Sequence, residues 1–101
     1  MRTLILLVLI FIAEPAAAMP DIDVEYGKTL DGFARVRVVN NTPRNLACYV
    51  GIDGYKIKFV LGALKPSIWY KATDKRFNYT NFTTWCDYLE LYPQFQKYQE
   101  Q

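Results

Sequence analysis

The dipeptide Asp53-Gly54 is the strongest hairpin signal in the chain. A two-residue hairpin loop of the favoured type needs positive φ at both central positions, and Asp-Gly adopts that at little steric cost. Runs of period two stand on either side. "LACYVGI" (46–52) places Leu46, Cys48, Val50 and Ile52 on one face. "YKIKFVL" (55–61) places Tyr55, Ile57, Phe59 and Leu61 on one face, with Lys56 and Lys58 on the other. This predicts an antiparallel hairpin with one buried face.

Other segments repeat the pattern. "DIDVEY" (21–26) sets Ile22, Val24 and Tyr26 against Asp21, Asp23 and Glu25. "FARVRVVN" (33–40) sets Ala34, Val36 and Val38 against Arg35 and Arg37, and "NTPRN" (41–45) reads as a turn. "SIWYKA" (67–72) reads as a fifth strand, and "TDKRFNYTN" (73–81), polar and aromatic without a period, as a loop. Five short strands with regular punctuation predict a mainly β fold: a small antiparallel β-sandwich or rolled sheet.

The amino terminus does not belong to that fold. Arg2 precedes the apolar run Leu4 to Ala13, and small residues follow at Ala16, Ala17 and Ala18. This is the pattern of a signal peptide, residues 1–18, cleaved after Ala18. An uncleaved anchor is the rival reading, which the shortness of the run disfavours. No other segment is apolar enough to cross a bilayer, so no stable membrane insertion is expected after cleavage. Residues 19–101 then form a single small domain, secreted or periplasmic. Arg2 and Glu14 leave together, so the net charge stays at +2.

The two cysteines, Cys48 and Cys86, both lie in the exported part. In an oxidising compartment one intramolecular disulfide is the expected state. Free thiols or a redox pair are the alternative, but no C-x-x-C motif is present to activate a thiol. For so small a domain, the typical gain of about 2–4 kcal/mol from a disulfide is a large share of total stability.

"TTWCDYLELY" (83–92) fits two templates. As a strand, each alternate set carries one acid, so neither face is clean. As a helix at about 100° per residue, Trp85, Cys86, Tyr88, Leu89 and Tyr92 share one arc, opposite Asp87 and Glu90. Thr84 and Asp87 match a capping box, and Pro93 stops continuation. The sequence therefore predicts a short C-terminal helix over Trp85–Tyr92, clasped to the sheet by Cys86–Cys48. "PQFQKYQEQ" (93–101) is expected to be a further turn or a frayed tail.

The run "VRVVNNT…LACYV" (36–50) loosely resembles small exported Ig-like modules, in which an Asn/Thr-rich turn joins two core strands. The likeness implies a sandwich. The Ig pattern places its second cysteine on a strand after a tyrosine corner, which "TTWC" does not match, and no family is assigned.

Enzymatic chemistry is poorly supplied. The chain has no histidine, so no Ser-His or Cys-His arrangement is possible. The one serine, Ser67, adjoins a proline, and the glycines are scattered rather than grouped into a phosphate cradle. Asp53, Asp74, Asp87 and Glu90 are the only candidates for a carboxylate pair, and each has a more ordinary structural role. No cofactor and no catalytic residue is expected. Metal sites are not expected either: "DIDVE" lacks the loop of a calcium site, and paired cysteines leave zinc little.

Binding is better supplied. Arg35, Arg37, Lys56 and Lys58 all point outward on predicted strands, and would form one basic patch if those strands are neighbours. The loop rings Phe77, Tyr79 and Phe82 exceed what a small core readily buries. Together they make the candidate binding surface, suited to a protein or a glycan; the modest charge does not suit nucleic acid. Asn40, Asn78 and Asn81 head Asn-x-Thr sequons, which would carry glycan in a eukaryotic secretory pathway and act as plain turn formers in a bacterium. The plain Ala-Ala-Ala cleavage site favours the bacterial case. The expected function is a non-enzymatic exported module: an inhibitor, an immunity-type protein or an adaptor. A structural envelope component and a small carboxylate enzyme are the alternatives.

Overall fold

The computed structural model describes residues 19–101. The expected signal peptide lies outside the described residues. Six strands follow one another: β1 (Ile22–Lys28), β2 (Ala34–Asn40), β3 (Leu46–Ile52), β4 (Tyr55–Leu61), β5 (Tyr70–Lys71) and β6 (Phe82–Tyr88). They form two antiparallel three-stranded sheets, β1-β2-β5 and β4-β3-β6. The two sheets face each other. Val36 and Val38 from one meet Leu46, Cys48, Val50, Phe59 and Leu61 from the other, all buried. Phe59 of β4 stacks on Tyr70 of β5 at 5.4 Å, and Tyr26 of β1 lies 6.4 Å from Phe82 of β6. Strand β5 therefore sits over β4, and β1 over β6.

The β3–β4 hairpin forms as its sequence predicts. Asp53 and Gly54 have φ of 50° and 89°, and Ile52 pairs with Tyr55. The fifth strand is shorter than predicted. Its flank still runs along β2, where Ser67 N–H donates to the Val38 carbonyl. Pro66 has no N–H, and the buried Ser67 hydroxyl accepts from Val38 N–H at 3.0 Å, standing in for a ladder carbonyl.

The predicted helix over Trp85–Tyr92 is not there. Residues 82–88 are the third strand of the second sheet, followed by a 3-10 turn at Leu89–Leu91. The Thr84–Asp87 cap does not form, and Asp87 instead accepts from Tyr88 N–H. Helical periodicity misled because both faces of this strand are covered. Cys86 faces the inter-sheet core, while Trp85 faces the carboxyl-terminal segment packed on the outer side. A strand covered on both sides loses the alternation that marks a half-exposed one.

The disulfide does form. Cys48 and Cys86 are direct cross-strand partners. Ladder hydrogen bonds at Leu89–Asn45 and Asp53–Asn81 place the hydrogen-bonded pairs at odd positions. Cys48–Cys86 is thus a non-hydrogen-bonded pair, the closer of the two kinds, with Cα atoms 4.1 Å apart. The tail is not frayed. A 3-10 turn at Pro93–Lys97 lays Phe95 over Ala47 and Val60. Residues 99–101 then bond to Val60 and Gly62 of the second sheet, and Gln101 accepts from Ile68 N–H beside the first. Gln101 also donates to the Tyr70 hydroxyl. The tail closes the β4–β5 side of the sandwich. At one end Asn40, fully buried, ties β2 to the end of β4 by donating to the Gly62 carbonyl at 3.0 Å.

Candidate binding surface

The outer face of the β1-β2-β5 sheet carries Glu25 and Gly27 from β1, Arg35 and Arg37 from β2, and Lys71 from β5. Alternation puts them there because Val36 and Val38 between them must face the core. Trp69, just before β5, lies against both arginines. The Arg35 guanidinium sits 4.2 Å and that of Arg37 4.6 Å from its ring centre. Arg37 is neutralised by Glu25 at 2.5 Å. Arg35 has no carboxylate partner among the described residues, and its buried Nε has no hydrogen-bond acceptor.

Gly27 lies directly opposite Arg35, and a side chain there would meet the arginine and Trp69 at ordinary contact distance. A Cβ at that position would lie 3.4 Å from Arg35 Nε and 3.7 Å from the Trp69 ring. The row continues past Arg35. Lys71 and Lys75 stand 4.6 Å and 5.5 Å from the Phe33 ring. The Thr29 hydroxyl, with smaller help from Lys71 and Lys75, holds the nearby Asp31 carboxyl below the usual carboxylate range. Alternating cations and rings thus run along the face from Arg37 to Lys75. No further segment among the described residues packs over them.

Where β1 meets the loop before β6, a cavity of about 290 Å³ opens. Residues 26–28 of β1, Ala34 and Arg35 of β2, and Asn78 and Tyr79 of the loop line it. The wall is almost wholly apolar. Tyr79 is 62 % exposed and meets Tyr26 edge-to-face at 5.7 Å. The turn carrying Tyr79 is held by reciprocal caps: Asn78 accepts from Thr80 N–H at 2.9 Å, and Asn81 accepts from Asn78 N–H at 2.9 Å.

The residues expected to bind are only partly brought together. Arg35, Arg37 and Tyr79 lie on or beside this face. Lys56 and Lys58 project from the outer face of the other sheet, so the four cations do not make one patch. They adjoin different strands of different sheets because the hairpin partner of β4 is β3, not β2. Phe82 is 7 % exposed and belongs to the core, and Phe77 packs against that core. The loop thus offers one exposed ring, Tyr79, rather than three. Trp69 and Lys71 also stand on this face, and neither is among the residues expected from the sequence to bind. Their alternation with Tyr70 and Ala72 was the available signal, because buried Tyr70 and Ala72 force the other two outward.

The four carboxylates considered for catalysis are dispersed. Asp53 and Asp87 lie at opposite ends of the β3 ladder. Asp74 grips Arg76 through both carboxylate oxygens, which holds its pKa down at about 2, and Glu90 pairs with Arg44. Among the described residues, no group of three or more His, Cys, Asp or Glu is placed to hold a metal ion. Of the sequons, Asn40 is buried with its amide and carbonyl both bonded, while Asn78 is exposed.

The disulfide is compatible with an extracellular or periplasmic location, and no helix among the described residues is long and apolar enough to cross a membrane. No family model matches the chain, and no curated protein or solved structure matches it.

Proposed function

We propose that the protein is a non-enzymatic binding module that works outside the cytoplasm, as an inhibitor, immunity-type protein or adaptor. Its working surface is the open face around Arg35, Trp69 and Arg37. One observation carries the reading: a guanidinium without a carboxylate partner among the described residues lies 4.2 Å from the centre of a tryptophan ring, on a face that no further described segment packs over. Arginine and tryptophan are the residues that most often dominate binding energy at protein interfaces. Stacking removes much of the freedom that Arg35 would otherwise lose on binding.

The test is capture by the immobilised protein from the native exported or envelope fraction. Arg35→Ala and Trp69→Ala should each abolish retention of the specific partner. Lys58→Ala, on the opposite face, should leave it intact. Retention lost in the Lys58 variant alone would place the working surface on the other sheet.

A second reading, a self-associating structural component, draws on the open edges. Strands β1 and β6 both end their sheets on the same side of the sandwich. Asp21, Asp23 and Glu25 along β1 oppose edge pairing there, which leaves β6. Sedimentation over a wide concentration range decides this reading: a constant monomer rules it out.

A further inference from the structure

We propose that the free edge of β1 is a strand-addition site. It takes an extended segment of a partner protein, antiparallel to Ile22–Lys28, in which apolar and basic residues alternate. The inference goes beyond the open-face reading, because it concerns the edge of that sheet and makes no use of Arg35 or Trp69.

The backbone shows what the edge lacks. Asn41 N–H donates to the Asp21 carbonyl at 3.0 Å, and Thr29 N–H to the Phe33 carbonyl at 2.8 Å. The odd residues of β1 therefore spend their backbone groups on β2, and those of Ile22, Val24, Tyr26 and Lys28 point away from it. Strand β1 ends its sheet, and no described residue bonds to these groups. The other side of the sandwich shows how the chain closes such an edge. There the tail lies along β4: Val60 N–H donates to the Gln99 carbonyl at 3.0 Å, and Gln101 N–H to the Val60 carbonyl at 2.7 Å. Among the described residues β1 has no such cover. Its inner face is unfinished as well. Val36 and Val38 of β2 are fully buried, whereas Ile22 and Val24 are only partly covered and Tyr26 is 50 % exposed. Apolar side chains set opposite those three would extend the core. On the outer face, Asp21 and Asp23 have no cation partner among the described residues. The acids that keep a second copy of β1 away would attract lysine or arginine. Directly opposed residues share a face, so one strand meets both demands by alternating the two kinds of residue.

The experiment is an NMR titration of the folded protein, disulfide intact, with acetyl-Lys-Val-Lys-Val-Lys-Val-Lys-amide, which matches the seven residues of β1. The amides of Ile22, Val24 and Tyr26 should shift and exchange more slowly with solvent. N-methylation of the three valines removes the N–H groups that must donate to β1, and should weaken binding about tenfold or more. N-methylation of the two inner lysines, whose N–H groups point away, should leave it within about twofold. The glutamyl counterpart of the peptide should bind about tenfold more weakly, and Asp21→Asn with Asp23→Asn should cost the lysyl peptide about fivefold. Arg35→Gln should change none of these affinities. No saturable shift at Ile22, Val24 and Tyr26, equal binding of the two N-methylated peptides, or a glutamyl peptide that binds as tightly as the lysyl one would overturn the proposal. Slowed exchange at those amides on raising the protein concentration alone assigns the edge to a second copy, and overturns it too. Partner capture judges the open-face reading separately. If Arg35→Gln retains the partner, the open face fails, and the titration still decides the edge.

Discussion

Trp85 and Trp69 stand on the outer faces of the two sheets, and the chain treats them differently. Trp85 stacks on Tyr49 at 5.5 Å, meets Tyr92 edge-on at 5.1 Å, and lies under Phe95. Its sheet is covered on both sides and stapled through Cys48–Cys86. Trp69 is half-buried against Arg35 and Arg37, and no other ring stacks on it among the described residues. The outer face of one sheet has become a second, smaller core, and that of the other has stayed a surface. The difference lies in where the chain returns. After β6 it turns through Leu89–Leu91 and doubles back across its own sheet, and it never crosses the first.

This contrast predicts where substitutions fall on stability and where on binding. The largest effect on stability is expected from Cys48→Ala with Cys86→Ala. Freeing a loop of sequence separation 38 should lower unfolding free energy by about 4 kcal/mol. Urea denaturation measures it, and a loss under about 1 kcal/mol would show that the covered sheet does not depend on its staple. Phe95→Ala removes the centre of the outer mini-core and should lower stability by about 3 kcal/mol without affecting partner capture. If capture fails in a variant that remains folded, the covered face also binds, and the contrast breaks.

Trp69→Ala is the mirror experiment. The ring is half-buried against two arginines, so its removal should lower stability by only about 1–2 kcal/mol. Partner retention should nonetheless be lost, and thermal unfolding beside capture separates the two effects. A large drop in melting temperature would make the open face structural rather than functional.

The smallest effect is expected at Asp74. Its bonds to Arg76 hold the folded carboxyl at about 2, below its unfolded value. A lowered carboxylate pKa favours the folded state above the ordinary carboxylate range, and the contribution is lost as pH falls through about 4 toward 2. Both groups are solvent-facing, so Asp74→Asn should leave neutral-pH stability nearly unchanged and alter only the acid limb. Carboxyl-carbon NMR should show Asp74 titrating near 2; a value in the ordinary carboxylate range would mean that the Asp74–Arg76 pair does not persist in solution.

Much of the fold was legible because local chemistry dictated it. Asp53-Gly54 demanded a hairpin, and the alternation of β2 demanded that Arg35 and Arg37 share an outward face. The strand at 82–88 was hidden. Its outer residues are covered by a segment ten residues further on, and periodicity reports burial without saying which neighbour supplies it. Phe82 illustrates the same limit: an aromatic beside a polar loop reads as exposed until a strand register turns it inward. The candidate surface was half legible for a similar reason. Each basic pair could be placed on an outer face from its own strand, but which strands share a sheet is a long-range fact.

Local sequence carried the β class, the hairpin, and the inward or outward facing of most side chains in β1 to β4. These follow from residue chemistry within a few positions of chain. Long-range packing set the rest: Arg35 and Lys56 lie on opposite faces, the tail seals one sheet, and Trp69 lies half-buried beside an arginine with no carboxylate partner among the described residues. Those outcomes depend on contacts between segments far apart in sequence, whose free energy is settled by packing the whole domain and not by any local pattern.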